Sequence, residues 1–412
     1  MRTIAFTLSL VFIFVIPWEG VVQLPGFGNA AKFIGLAVAA FWVATVVITG
    51  RLRKPGPFHI MVWLFVLWNA VSVWWSVDPD GTVAHLVTWV QLLVLAFILW
   101  DLYTTRAALS AGLQTYVLGA YVAIGSALAN YFSGNVFYTN YQRFSAGDMN
   151  PDGFGFIVAL GIPVAWYLAS SKSTTKMSDL LKLVNYAYIP AAFLGITLSG
   201  TRTALIAAVP GMAFGLASLT RLRLWARVAI FLLLISAVTM LIPHVQTLRS
   251  FQRFSTVATE LAEGDLNQRT LLWREGLASF AEHPLLGVGS NMYRSVNSLG
   301  KVAHNSFLSV LVEVGLIGFV LFGMIVTIAV IQAWNQPKWD KSFWLSLLVV
   351  WAIGASALTW EHRKTTWLFL SLLIASAALT SDRDEAAALV RRDEPEAQVI
   401  PDTKHNKSSP GE

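Results

Sequence analysis

Apolar residues along this chain come in long blocks separated by short polar turns. The blocks fall at 4–17, 33–49, 58–76, 83–100, 111–131, 153–170, 184–199, 203–219, 227–243, 306–333, 342–358 and 366–380. A bilayer-crossing helix needs about 20 mostly apolar residues, so the pattern predicts an all-α, polytopic membrane protein of about 12 transmembrane helices. One connection is long, His244–His304, between the ninth and tenth blocks. The organisation predicted is transmembrane helices one to nine over 1–243, a helical extramembrane loop over 244–305, and the last three spans over 306–380. The remainder, 381–412, is charged and free of aromatics, which reads as a disordered tail.

Composition narrows the class. Of 412 residues 56% are hydrophobic and 13% charged, about half the charge of ordinary soluble domains. A soluble enzyme, a disordered chain and a secreted mini-protein are excluded. Cysteine is absent, which removes disulfides, thiolate metal sites and a cysteine nucleophile. The net charge of +6 would suggest nucleic acid in a soluble protein. Here it reads as topology: basic residues crowd alternate turns, at Arg51, Arg53, Lys54, Arg106 and again at 172–182 and 221–227. That bias places both termini in the cytoplasm. Trp18, Trp63, Trp74, Trp75, Trp100, Trp334, Trp339 and Trp360 lie near block ends and read as an interfacial belt.

On that topology the long loop faces outward. Within it Asn267–Glu282 reads as an amphipathic helix, with Trp273, Leu277 and Phe280 on one side and Arg269 a turn earlier. His283-Pro284 ends it and Gly287-Val288-Gly289 supplies a turn. A helix resting on lipid headgroups and a lid over an active site both fit this pattern.

Candidate chemistry collects on the same face. His304 precedes the tenth block, with Asn305 or Ser306 as the helix cap. A helix N-terminus disfavours the imidazolium, so a neutral His304 suits a general base; the alternative is a histidine that only satisfies the helix end. Arg202 sits in the tight turn Leu198–Thr203, where a charge so close to hydrocarbon is functional or paired. The loop Asn130–Asp152 holds Tyr138, Tyr141, Arg143 and Asn150-Pro151-Asp152, a set suited to sugar contacts, although Arg143 also reads as a snorkelling cation. Arginine forks match phosphate oxygens. The set points to attack by a hydroxyl with departure of a phosphate-type leaving group. No HExxH site, glycosidase carboxylate pair or P-loop occurs, so no metal or cofactor is expected.

The combination Arg269…Trp273…His283-Pro284-Leu285-Leu286-Gly287-Val288-Gly289…His304-Asn305-Ser306-Phe307-Leu308…Glu313-Val314-Gly315-Leu316-Ile317-Gly318, with the turn Ser199-Gly200-Thr201-Arg202, resembles the O-antigen ligase family of bacterial membrane glycosyltransferases. The resemblance is sharpest over 195–320. It implies a GT-C-like helical fold in the bacterial inner membrane with a periplasmic active site. It implies metal-independent, inverting transfer of a polysaccharide from undecaprenyl diphosphate to a sugar of lipid A-core, in lipopolysaccharide biosynthesis. Carried over by position, His304 activates the acceptor hydroxyl, and Arg202 and Arg269 bind the diphosphate. Arg143 and Asn305 are further substrate-binding candidates. Partners are then the lipid-linked glycan, the glycan acceptor and membrane lipids, without nucleic acid. An O-antigen or exopolysaccharide polymerase shares topology and donor. A transporter or flippase would show ionisable or broken-helix sites near the midplane, and ionisable residues inside the blocks are scarce.

Overall fold

The computed structural model describes residues 1–24, 28–171, 176–220, 248–252 and 268–393, with isolated positions between 224 and 239 and side chains to Thr380. The described helices are α1 (Arg2–Val15), α2 (Ala30–Thr49), α3 (Pro57–Val71), α4 (Pro79–Leu102), α5 (Arg106–Phe132), α6 (Pro151–Ala169), α7 (Lys176–Ser199), α8 (Arg202–Leu219), α9 (Arg249–Gln252), α10 (Arg269–Glu282), α11 (Ser306–Trp334), α12 (Lys338–Ala355) and α13 (Lys364–Asp393). A minimal hairpin pairs Gln23–Leu24 with Gly28–Asn29. Many helix starts follow from local sequence. Asn29, Asp78, Thr105, Asn150 and Asn305 each accept a backbone N–H of the first turn, and Pro57, Pro79 and Pro151 occupy first positions, where a missing N–H costs nothing.

Eight described helices are long and apolar enough to cross a membrane, and Arg2–Trp18 and Lys364–Thr380 are shorter apolar helices. Every predicted block except 227–243 lies on a helix; that one falls largely outside the described residues. The helix of α13 runs past Ser381 to Asp393, where the sequence suggested a disordered tail; 394–412 lie outside the described residues.

Helix α6 is the central post. Its apolar window is 89% buried, against 17% for α2. Close packing around α6 depends on small residues: a Cβ on Gly161 would come within 2.2 Å of Tyr188 Oη, and one on Gly215 within 2.2 Å of Trp166 Nε1. Such residues let backbones approach where no water drives association.

The loops sort to two ends of the bundle. At one end Arg2 and the Arg53 N–H meet Asp101, and Arg106 pairs with Asp340 at 2.7 Å, which also accepts from Tyr167. At the other end Asp148 N donates to Gly20 O, Phe144 N to Leu198 O and Val77 N to Val288 O. The indoles divide differently from the expected belt. Trp63, Trp74 and Trp334 are exposed, but Trp100 and Trp360 are buried. Trp100 donates to Lys54 O beneath the Arg53 guanidinium, and Trp75 donates to Leu286 O. These indoles find polar partners in the protein because their helix ends are covered by neighbouring loops.

Candidate active site

The arginine turn is built by exclusion of side-chain volume. Helix α7 ends at Ser199, and Gly200 takes φ +58°, its N–H returning to Ile196 O and Thr197 O. A left-handed residue at this point is the usual helix stop, and glycine adopts it without strain. Gly155 of α6 packs against the turn so tightly that a Cβ would meet Ser199 Oγ at 2.6 Å. Arg202 follows as the first residue of α8. A cation at a helix N-terminus opposes the dipole, so its placement favours an anion between the two.

Arg143 lies beneath this turn. Only 5% exposed, it donates Nε to Ser199 O at 2.7 Å and Nη2 to Asp152 Oδ1 at 2.6 Å and Thr201 Oγ1 at 3.1 Å. A snorkelling cation would reach water, so that reading is corrected: desolvation is offset here by a carboxylate and two further acceptors. Asp152, in the first turn of α6, is held by its own N–H on Asn150 Oδ1.

His304 stands just before α11 with φ +50°, a left-handed conformation that costs a non-glycine residue about 1 kcal/mol or more. Its N–H donates to Thr359 Oγ1 at 3.0 Å. Next to it Ala303 O accepts from Trp273 Nε1 at 2.9 Å. Asn305 caps α11, its Oδ1 taking the N–H groups of Phe307 and Leu308, and Ser306 Oγ bridges Leu358 O and Trp360 N. The histidine is thus clamped from three sides. Burial, then the Arg269 guanidinium, lowers its pKa to about 4, with Lys301 and Arg294 adding to the effect and Asp152 opposing it. The neutral imidazole expected from the sequence is the form favoured, and burial rather than the helix dipole is the first cause. Arg269 begins α10 as Arg202 begins α8, so each arginine opens a helix.

The segment after α10 is woven into the bundle. Gly287 has φ +72° and its N–H reaches His283 O; Val288 N donates to Val312 O and Gly289 N to Glu313 O. Leu316 N returns to Pro284 O. Helix α11 is broken to receive this pairing: Gly315 takes φ 65°, ψ −170°, where a Cβ would lie 2.2 Å from Leu285 O. Indoles secure the crossing, with Trp68 donating to Val314 O at 2.9 Å and Trp75 to Leu286 O at 3.0 Å. Ser290 Oγ donates to Asn69 Oδ1 and accepts from Trp89. Glu313 accepts from Asn291 N and Ser309 Oγ. The apolar pattern predicts Gly315 inside an unbroken span over 306–333 and Gly287–Gly289 as a turn; the structure breaks the span at Gly315 and pairs the turn with it.

The site residues read from the sequence therefore gather at one end of the bundle. Asp152 joins the Arg143–Thr201 cluster and its field reaches His304, as does that of Arg269. Arg202, Arg269, His304 and Asn305 are half-buried. Thr359, Glu361 and His362 were not singled out by sequence. Glu361 is 2% exposed and its Oε1 lies 3.1 Å from His362 Nδ1. Burial pushes its carboxyl up, but the His362 contact together with its own backbone N–H and Ser306 holds it below the usual carboxylate range. An acidic residue at the edge of an apolar block was the available signal.

Residues 187–323 match the O-antigen ligase family, a stretch that runs from α7 into α11 and contains Arg202, Arg269, His304 and Asn305. Over 334 residues the chain is 24% identical to the exopolysaccharide production protein ExoQ of Rhizobium meliloti (strain 1021), an alignment covering 74% of this chain and 72% of that one. Through residues 187–323 the chain is thus similar to the O-antigen ligase family.

Proposed function

We propose that this protein is a membrane glycosyltransferase of the O-antigen ligase type, moving a polysaccharide from undecaprenyl diphosphate to a sugar hydroxyl of lipid A-core. The observation that carries the reading is His304: strained, held neutral by burial, and within the field of Arg269 beside the Arg202 turn. The acceptor oxygen attacks the anomeric carbon while the imidazole takes its proton. The bond from that carbon to the diphosphate oxygen breaks, and the electron pair leaves with the diphosphate. Attack opposite the leaving group inverts the anomeric centre. Arg202 and Arg269, each at a helix N-terminus, stabilise the departing charge in place of a metal ion. Arg143 and Asn305 are positioning residues, one fixing the arginine turn and the other the helix that follows His304. The family reading carries with it a GT-C-like fold of twelve spans in the bacterial inner membrane, both termini cytoplasmic and His304 periplasmic.

Similarity to ExoQ over most of the chain favours a second reading, an exopolysaccharide polymerase using the same kind of donor, whose acceptor is another lipid-linked glycan. A reconstituted assay with lipid-linked donor separates them: product on lipid A-core means ligase, longer lipid-linked chains mean polymerase. In either case His304→Ala is expected to lose transfer by at least about 100-fold, the scale of a general base, with the protein still in the membrane. Arg202→Lys and Arg269→Lys are each expected to be impaired, since a point charge does not replace a fork. Undiminished transfer in His304→Ala overturns the assignment.

A further inference from the structure

A cleft of about 540 Å³ opens beside α1, α2 and α4. Its floor is apolar: Phe12, Leu36, Val38, Leu92, Leu95 and Ile98 line it. Along α4 it extends from His85 to Leu99, about 21 Å at 1.5 Å per residue, which is most of the depth of a hydrocarbon core of about 30 Å. Helix α2 leaves it open, being the least buried of the long apolar helices, with Leu36 70% exposed. Such a groove admits a hydrocarbon chain from the side.

The mouth is polar and cationic. Lys32, Arg363 and Lys364 line it with His85, His362 and Asn291. Lys364 is neutralised by Glu19 at 2.6 Å. Lys32 and Arg363 have no ion pair among the described residues, so the mouth carries a surplus of two positive charges. His362 is held by buried Glu361, whose Oε2 has no hydrogen-bond partner among the described residues. The mouth is joined to His304 through the chain segments on either side. Thr359, which anchors His304, lies on the same turn as His362 and Arg363, and Asn291 lies on the segment paired with α11. The arginine turn is formed by the ends of α6, α7 and α8, whereas the cleft is lined by α1, α2 and α4.

We infer that this cleft seats the acceptor lipid, its chain along α4 and its phosphate at Lys32 and Arg363, so that its glycan reaches His304 from the side opposite the donor. The inference rests on the glycan-transfer reading above. Transfer between two membrane-anchored molecules requires two lipid sites converging on one base, and the charge and shape of this cleft fit the second.

The test uses the full chain in phosphatidylcholine vesicles, with donor fixed and two acceptors compared: the lipid-anchored glycan and the same glycan released from its lipid. Lys32→Glu/Arg363→Glu, which reverses both mouth cations, and Leu36→Trp, which fills the groove, are each expected to raise KM for the anchored acceptor by at least about tenfold. KM for the released glycan and for the donor should stay within twofold of wild type, about 0.4 kcal/mol. Equal effects on both acceptors, no effect on either, or a raised donor KM overturns the inference while leaving the glycan-transfer reading intact. Absence of transfer by the wild-type chain to any acceptor removes that reading and the inference with it. Because the chain has no cysteine, Leu36→Cys bearing a photoactivatable maleimide gives an independent readout. Capture of the anchored acceptor supports the seat, and capture of phosphatidylcholine alone overturns it.

Discussion

His304 owes its behaviour to what surrounds it more than to its own chemistry. With a pKa near 4 it is neutral at physiological pH but a weak base; burial is the first cause, and the cations that add to it are those a donor diphosphate would neutralise. Loading the donor should therefore raise the pKa and strengthen the base just when it is needed. We predict that the acid limb of kcat/KM, which reports free enzyme, lies near pH 4, and that the limb of kcat lies at higher pH. Coincident limbs would show that the donor does not sit in that field. Stability carries the opposite sign from a salt-bridged histidine. The folded pKa is below the unfolded 6.5, so nothing is lost above that value, and folding weakens as pH falls from 6.5 towards 4. His304, Arg202 and Arg269 were legible in sequence because charges are scarce and these stand at block edges. Asp152 was legible only as one of a polar set suited to sugar contacts, not as the partner of Arg143, and Thr359 was not legible, since it lies 55 residues from His304 and meets it only in the fold.

At the scale of elements, α10 was readable from its Trp273–Leu277–Phe280 stripe, and the structure gives that stripe a specific use. The Trp273 indole ties the helix to Ala303, one residue from His304. The break in α11 was not readable, because a lone glycine in an apolar run is compatible with an ordinary helix. Its cause is the pairing of residues 284–289 with 312–317, a contact between segments that sequence periodicity does not register. Gly315→Ala should therefore be costly: the backbone at φ 65°, ψ −170° is strained by about 1–3 kcal/mol for other residues, and the added Cβ also meets Leu285 O. Gly323→Ala on the same helix meets nothing within 4 Å and gains helix propensity. Thermal unfolding in detergent should show a lowered midpoint for Gly315→Ala and an unchanged or raised one for Gly323→Ala. Equal midpoints would mean that the break bears no strain.

At the scale of the molecule, basic residues play two parts that composition merges into one net charge. Arg2 and Arg106 pair with Asp101 and Asp340 at one end, so residues that read as topology signals also fasten helices together. At the other end Lys32, Arg363, Arg202 and Arg269 gather around His304 and the cleft. Helix α8 begins at the His304 end and runs away from it, and Ser250 lies beside Gly200 at that same end. A protein without cysteine makes the orientation directly measurable. Lys301→Cys and Ser133→Cys, both at exposed positions, should react with a membrane-impermeant maleimide added to intact cells stripped of the outer membrane. Lys54→Cys and Asn335→Cys, exposed at the opposite end, should react only after permeabilisation. Labelling of all four from one side would overturn the two-ended arrangement, and reversal of the pattern would place His304 in the cytoplasm and overturn the proposed periplasmic site.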